Sequence, residues 1–483
     1  MEKLNTLNTV VNNTRTSINN KNVPMASSDG FLMQPDAVRA INFQDYSEEL
    51  KPTIHGVNYY DYNGDLLYVY NVTDFLALTA HPSQPTHSEL VADGWNWDLT
   101  DAQDFIQNTC DCLNIGGLYV TESGKTEIYF TSPFEGEVNY WQLQYRIKTL
   151  SGTGTLTIDW GDETISTVSI TNTGYQNKVS SHTYENAGSY CIKVSGTENL
   201  VYGVSNTNSY EGMFGYGYTN SRWRNMCAEK LYLGTNAQIT GCSPGYWSCF
   251  VSEIAVANSD YTNLEKSVVG NFAIMDKHLK GIVFPNGPTT IGGTAFQNCL
   301  NIKCICLSKT MGTTIGGNAF QYTHELDSLI IPANCTSLGT YVIASSNVRR
   351  VYLPNTITTI PNYCFNGDHR LEEVNIPESI TSIGTSAFYE CLSLNRLEFP
   401  STVTSVGTNA FNYCVSLKTA IFHSTTPPTA GTTPFGNCPS LEGIYVSYSE
   451  DHSILTAYKE ATNWSTYAAK IFELDENGNI PTE

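Results

Sequence analysis

Charge is scarce in this chain, and basic charge most of all. Charged residues fill 15% of its 483 positions, and 25 Lys and Arg stand against 46 Asp and Glu, a formal net charge of −21. A surface this poor in cations does not suit the phosphates of nucleic acid or an anionic membrane. It suits divalent cations or a basic partner instead. Long apolar runs are missing too: no stretch of about 18 apolar residues is present, so no membrane-spanning helix is expected. The opening MEKLNTLNTVVNNTRTSINN lacks the apolar segment of a secretory signal, and export by that route is not expected.

Catalytic signatures are also lacking. The nine histidines form no HExxH and no zinc-type pairing with cysteine. There is no GxSxG, no phosphate-cradling glycine loop and no GxGxxG that opens a helix. No catalytic residue, metal ligand or cofactor is assigned, and the chain reads as a non-enzyme. A glycosidase needs only two carboxylates about 5–10 Å apart, so a carbohydrate-active enzyme stays open as a third reading. The fourteen cysteines are thinly spread, and four of them recur at equivalent places in a repeat, as free buried thiols do. Cys304 and Cys306 form a C-x-C pair on a strand, which aims both thiols outward on one face.

What is present is a repeat. Residues 379–400, SITSIGTSAFYECLSLNRLEFP, are nearly restated by 402–423, TVTSVGTNAFNYCVSLKTAIFH. Phe272, Phe296, Phe320, Phe365, Phe388, Phe411 and Phe435 recur at one repeat spacing, with Val342 filling the gap. Cys299, Cys391, Cys414 and Cys438 follow three residues behind, and Ile291, Ile315, Ile360, Ile383 and Val406 stand five ahead. After each aromatic comes an apolar triplet, from Leu279/Ile282/Phe284 to Leu441/Ile444/Val446. Its last two members are spaced by two, as in a short strand with one buried face. Pro285, Pro332, Pro354, Pro377 and Pro400 end the strand. One such turn cannot bury its own apolar residues, so the turns stack into a solenoid.

The run ItsIGtsAFyeCxsLxxLxfP resembles the BspA-like leucine-rich repeat family over residues 270–447, with degenerate repeats at 198–269 around Phe250, KLYLG and EIAVA. The ending through YKEATNWSTYAAKI is similar to the helical caps of such arrays, and 448–483 is read as cap and tail. Upstream, 126–197 reads as a β-sandwich, and IDWGDET…HTYENAGSYCIKV resembles PKD-type immunoglobulin-like domains. There Asp159 and Asp162 either shape the turn after Trp160 or bind calcium. Residues 25–125 read as a small α+β module, with hairpins at Asn63–Gly64 and Ser123–Gly124 and two short capped helices. Its sequence resembles a module that precedes such domains in proteins of gut bacteria and their phages. Residues 1–24 are either a disordered tail or, through Leu4, Leu7, Val11 and Ile18, a helical docking or oligomerisation peg. The expected fold class is thus mainly β and modular, with the solenoid at its C-terminal end.

Function follows from surface. Val283, Cys306, Ile330, Tyr352, Asn375, Glu398, Ile421 and Tyr445 are expected to face outward from the solenoid strands, with Arg350, Glu373 and Arg396 beside them. The candidate ligand-binding residues are Arg350, Tyr352, Glu373, Asn375, Arg396 and Glu398; the alternative is a solvated face of cross-strand Arg–Glu pairs. The resemblance implies a phage virion protein, as a tail fibre, head fibre or decoration protein assembled in the host cytoplasm. It would join other virion proteins through its N-terminal region and bind a host surface glycan or protein through the solenoid. The alternative is a BspA-like adhesin on a bacterial cell surface. A homo-oligomer fits either.

Overall fold

The computed structural model describes residues 50–481 except 133–138, 149–152, 172–175, 197–198, 203–227, 236, 240–250, 257–267, 270–277, 286–289 and 310–313. The tail at 1–24, Phe250 and Phe272 lie outside the described residues. Residues 51–483 form one compact unit. No helix among the described residues is long and apolar enough to cross a membrane.

The triplets form the expected ladder of short parallel strands, including Cys304–Cys306, Arg350–Tyr352, Arg396–Phe399, Thr419–Phe422 and Gly443–Val446. Their inward residues are buried, apart from the partly buried Ile376. The structure adds a second ladder. The residue five places before each arch residue, β-branched in most turns, sits in a two-residue strand, as in Thr359–Ile360, Ser382–Ile383 and Ser405–Val406, each parallel to the next. Each turn therefore has two strands closing one core between them.

The aromatics sit on an arch whose backbone is left-handed two residues before and two residues after the ring. The pairs are Thr294/Asn298, Asn318/Tyr322, Tyr341/Ser345, Tyr363/Gly367, Ser386/Glu390, Asn409/Tyr413 and Thr433/Asn437. Their midpoints are Phe296, Phe320, Ile343, Phe365, Phe388, Phe411 and Phe435. The gap that spacing assigns to Val342 thus belongs to Ile343. Hydrogen bonding agrees: Phe320 N donates to Val342 O at 2.8 Å, as Phe365 N does to Ala387 O at 2.8 Å. Val342 takes the alanine place before the ring. Both residues are apolar and the repeat length varies, so spacing alone did not separate them. Phe365, Phe388, Phe411 and Phe435 stack at centroid distances of 4.8, 5.3 and 5.0 Å.

Both ends are sealed. Downstream, strand Ile471–Glu473 pairs with Gly443–Val446, and helix Ser453–Glu460 covers the last turn. Trp464 is fully buried there, and its indole N–H donates to Pro428 O at 2.7 Å. Upstream lie two sheets. One runs Ile165–Ile170, Gly154–Asp159, Gly188–Ser195, Thr126–Ser132, Ala228–Tyr232 and Glu253–Ala255. The other runs Gln176–Tyr184, Asn139–Lys148, Asn199–Tyr202 and Ala237–Ile239. Ala228–Tyr232 and Glu253–Ala255 pair in parallel, as solenoid turns do, while Ala228–Tyr232 also pairs antiparallel with Thr126–Ser132. Buried residues of both sheets and of the solenoid form one continuous core. The upstream sheets are therefore fused to the repeats rather than strung ahead of them. Asp159 accepts from Gly161 N at 3.0 Å, and Asp162 accepts from the Thr164 hydroxyl at 2.6 Å and lies 2.7 Å from His182 Nε2.

The remaining module is a sheet of four strands with two helices. In chain order these are β1 Gly56–Tyr60, β2 Leu66–Tyr70, α1 Val72–Leu76, β3 Leu90–Trp95, α2 Leu99–Asn108 and β4 Cys112–Thr121. The sheet order is β2-β1-β4-β3. The hairpin at Asn63–Gly64 forms, with Gly64 at φ +85°. The one expected at Ser123–Gly124 does not. Gly124 N still closes a turn onto Thr121 O, but strand Thr126–Ser132 then pairs with Gly188–Ser195 over seven residues. Its Ile128 and Phe130 belong to the continuous core, which draws the strand away from β4.

Candidate functional site

The outward column of the strand ladder was expected to be open along its length. The structure divides it. Its first half lies under the module, because β4 is buried along nearly all its length, with one face on α2 and the other on the solenoid. Val283, Cys304 and Cys306 pack with Tyr60 and Leu118. The two thiols do face outward from the solenoid, as expected, but into this interface. Among the described residues the cysteines are free, and all but Cys191 are buried. Gly116 makes the approach possible: a Cβ there would sit 2.4 Å from a Val283 methyl and 2.9 Å from Cys306 Cβ.

Polar contacts fix the register of the two parts. Asn96 donates to Phe284 O at 3.2 Å and Cys306 O at 3.1 Å, and Trp97 Nε1 donates to Leu307 O at 2.9 Å. Asn114 donates to the Ser328 hydroxyl at 2.9 Å. These bonds tie buried side chains of the module to strand-end groups of the solenoid, with Cys306 O accepting from Phe284 N as well.

Two of the six candidate residues fall in this interface. Tyr352 is 8% exposed, edge-on to Phe105 of α2 at 5.8 Å, and burial pushes its hydroxyl up to about 12. Arg350 is also 8% exposed. It donates to Ile54 O and to Asp111 Oδ1, and pairs with Glu373 at 3.2 Å. His55 bridges Asp111 at 2.9 Å and Glu373 at 3.4 Å. Burial works to raise the Asp111 carboxyl, but hydrogen bonds from His55 and Arg350 outweigh it and hold the group below its ordinary value. The expectation that Arg350 and Tyr352 stand open to solvent is therefore corrected. Sequence spacing gave their direction correctly, but a segment more than 200 residues away covers them.

Asn375 stays half-exposed but its amide is engaged. It accepts from Leu353 N and donates to Leu353 O, both at 2.7 Å. It thereby extends a ladder that is only two residues long at Glu373–Val374. Arg396 and Glu398 are exposed, and Arg396 donates to Glu398 Oε2 at 2.6 Å. His423 Nε2 lies 2.7 Å from the other Glu398 oxygen. That hydrogen bond, with help from Arg396, holds the Glu398 carboxyl below its ordinary value against partial burial. The expected cross-strand chain Arg350–Glu373–Arg396 forms only in its first pair; Arg396 turns to Glu398 on its own strand.

The structure adds His423, Thr419 and Phe472 to the open half of the face, beside Tyr445. Alternation along TAIFH carried the signal for the first two. Phe472 belongs to the cap, whose return as a further strand lies outside the repeat. Among the described residues no group of three His, Cys, Asp or Glu side chains is placed to hold a metal ion.

The family model described as BspA type leucine rich repeat region matches in six copies over residues 257–372 and 358–458. A leucine-rich repeat protein from Bacteroides ovatus is similar at 16% identity over 50% of this chain and 67% of its own, with a TM-score of 0.33. One from Eubacterium ventriosum shares 18% identity over 42% of this chain and 60% of its own, at a TM-score of 0.32. A leucine rich cell surface protein from Faecalibacterium prausnitzii shares 17% over 59% of this chain and 94% of its own, at a TM-score of 0.28. No curated protein matches the chain. The region 257–458 thus matches the BspA type leucine-rich repeat model, and its described strands form the paired parallel ladders of a solenoid of leucine-rich repeat type.

Proposed function

We propose that the chain is a non-enzymatic adhesion protein of a bacterial cell surface, and that it recognises its target with the open half of its solenoid strand face. The observation that carries this is the division of that face. Turns up to Tyr352 are occupied by the chain's own module, while Arg396, Glu398, Thr419, His423, Tyr445 and Phe472 remain accessible on consecutive strands. Parallel repeats present such residues in a rigid row, as extended binding surfaces do. The BspA type match supports the surface adhesin, the alternative that the family resemblance carried, over the virion protein. The upstream sheets, read as a PKD-type domain, then serve as a fused support for the first repeats.

Immunogold electron microscopy with an antibody against the solenoid tests the location. Gold on cell envelopes is expected. Gold on phage particles with bare envelopes would overturn the surface reading and restore the virion one. Adhesion of the purified chain to host cells tests the activity, and competition by the same antibody is expected to abolish it.

A further inference from the structure

We propose that Tyr445 and Phe472 form a stacking platform for an uncharged saccharide, bordered by Arg396, Glu398 and His423. The proposal rests on the reading of the open strand face as the recognition surface. Glu398, Ile421, Tyr445 and Phe472 are successive cross-strand neighbours on one row. Ile421 is 3% exposed and forms a filled apolar floor, whereas Phe472 is 43% exposed.

The Tyr445 ring lies along its own strand over Gly443. A Cβ at Gly443 would sit 2.6 Å from Tyr445 Cε2 and 2.8 Å from its Cζ. Glycine therefore lets the ring lie down on the sheet instead of standing off it. The Phe472 ring continues the surface, with centroids 5.8 Å apart and planes 36° from parallel. That spacing is on the scale of neighbouring sugars in a chain. The weakly positive C–H face of a pyranose matches the negative face of an aromatic ring.

Charge narrows the partner. The formal charges around the platform are paired with one another, Arg396 with Glu398 at 2.6 Å and Lys418 with Glu442 at 3.8 Å, and the His423 imidazole lies 2.7 Å from Glu398. Such a border does not select a strongly charged ligand. Its guanidinium, imidazole and carboxylate instead offer donors and acceptors side by side, which is what adjacent sugar hydroxyls require. The same row, nearer the start of the solenoid, already meets an aromatic group, where Tyr352 contacts Phe105 of the module.

Calorimetric titration of the full chain with cellohexaose, maltohexaose, mannohexaose and chitohexaose tests the platform. At least one is expected to bind, and Tyr445→Ala and Phe472→Ala each weaken it about tenfold. Gly443→Ala keeps the ring but lifts it, and is expected to weaken binding as well. Tyr413→Ala, an exposed tyrosine on the arch rather than the strand face, leaves binding unchanged. Failure of all four saccharides, or binding that Tyr445→Ala and Phe472→Ala do not alter, overturns the proposal. Adhesion to host cells separates the two levels. If Tyr445→Ala abolishes adhesion while the saccharides fail, the recognition face stands with a protein partner and the saccharide platform falls. If the wild-type chain neither adheres nor binds saccharide, both fall.

Discussion

Asp368 stands in a column otherwise filled by thiols and hydroxyls, three residues after each arch residue. Cys391, Cys414 and Cys438 donate to the ring-bearing residue of the previous turn, at 3.3, 3.0 and 3.1 Å. Ser346 donates to Phe320 O at 2.7 Å. An ionised carboxylate has no proton to give, and both Asp368 oxygens are buried without a hydrogen bond. Burial pushes its carboxyl well above the ordinary value; the backbone N–H groups of Arg370, Val348 and Asn347, which lie near it without well-formed hydrogen bonds, and the Arg370 charge offset this only in part. A carboxyl raised in the folded state contributes stability that is complete below its unfolded value and lost as pH rises through the folded one. We therefore expect Asp368→Cys to stabilise the fold by about 1–3 kcal/mol at neutral pH and above, seen as a higher melting midpoint. Near the ordinary carboxyl value the gain should vanish. Equal gains at both pH values would show that ionisation is not the cause.

The arch provides a second residue-scale prediction. Glu390 sits at φ 59°, a region where side chains cost about 1–2 kcal/mol. Glu390→Gly should be neutral or stabilising in thermal melts, while Glu390→Val should destabilise by about 1–3 kcal/mol, because a β-branched residue fits there worst. The sequence shows Asn at several of these positions, a sign of left-handed backbone, but Tyr, Thr, Ser and Glu at others hide the rule.

Among the elements, β4 decides how much of the solenoid face is free. Its residues CLNIGGLYVT are buried along nearly the whole strand, on both faces. What lies on its second face was not legible, because Gly116 leaves no side chain to suggest a partner. Gly116→Val would drive methyl groups into Val283 and Cys306. We expect it to loosen the module by about 1–3 kcal/mol and to expose Cys304 and Cys306. Native-state thiol labelling read by mass spectrometry checks this: the two thiols should react slowly in the wild type and quickly in the variant. Labelling at the wild-type rate would mean that β4 stays seated. The candidate site was half legible for the same reason. Alternation gave the outward direction of Arg350, Tyr352, Arg396 and Glu398, and only the docked module distinguishes the covered pair from the open one.

For the whole molecule, the ends matter most. A solenoid exposes apolar edges wherever it stops, and its caps must hide them. Deleting 448–483 would uncover Phe422 and Phe435, which Trp464 now contacts at 5.0 and 6.1 Å. We expect that truncation to aggregate in size-exclusion chromatography, whereas the full chain elutes as a defined species. A monodisperse truncated chain would show that the cap is dispensable.

Period and alternation are local properties, and they settled the triplet strand of each turn, its buried residues, the stacked rings and the solenoid. Each needs only that like residues meet their copies one turn away. Tertiary structure decided what meets across long sequence separations. It fused the upstream sheets to the first repeats through Ala228–Tyr232, placed β4 over Val283 to Tyr352, and brought Phe472 of the cap beside Tyr445. Those contacts join surfaces with no shared period, and their fit depends on shape, on glycines at close approach and on buried polar partners. For that reason the length of the face is written in the repeat, and its accessible part is set by the rest of the chain.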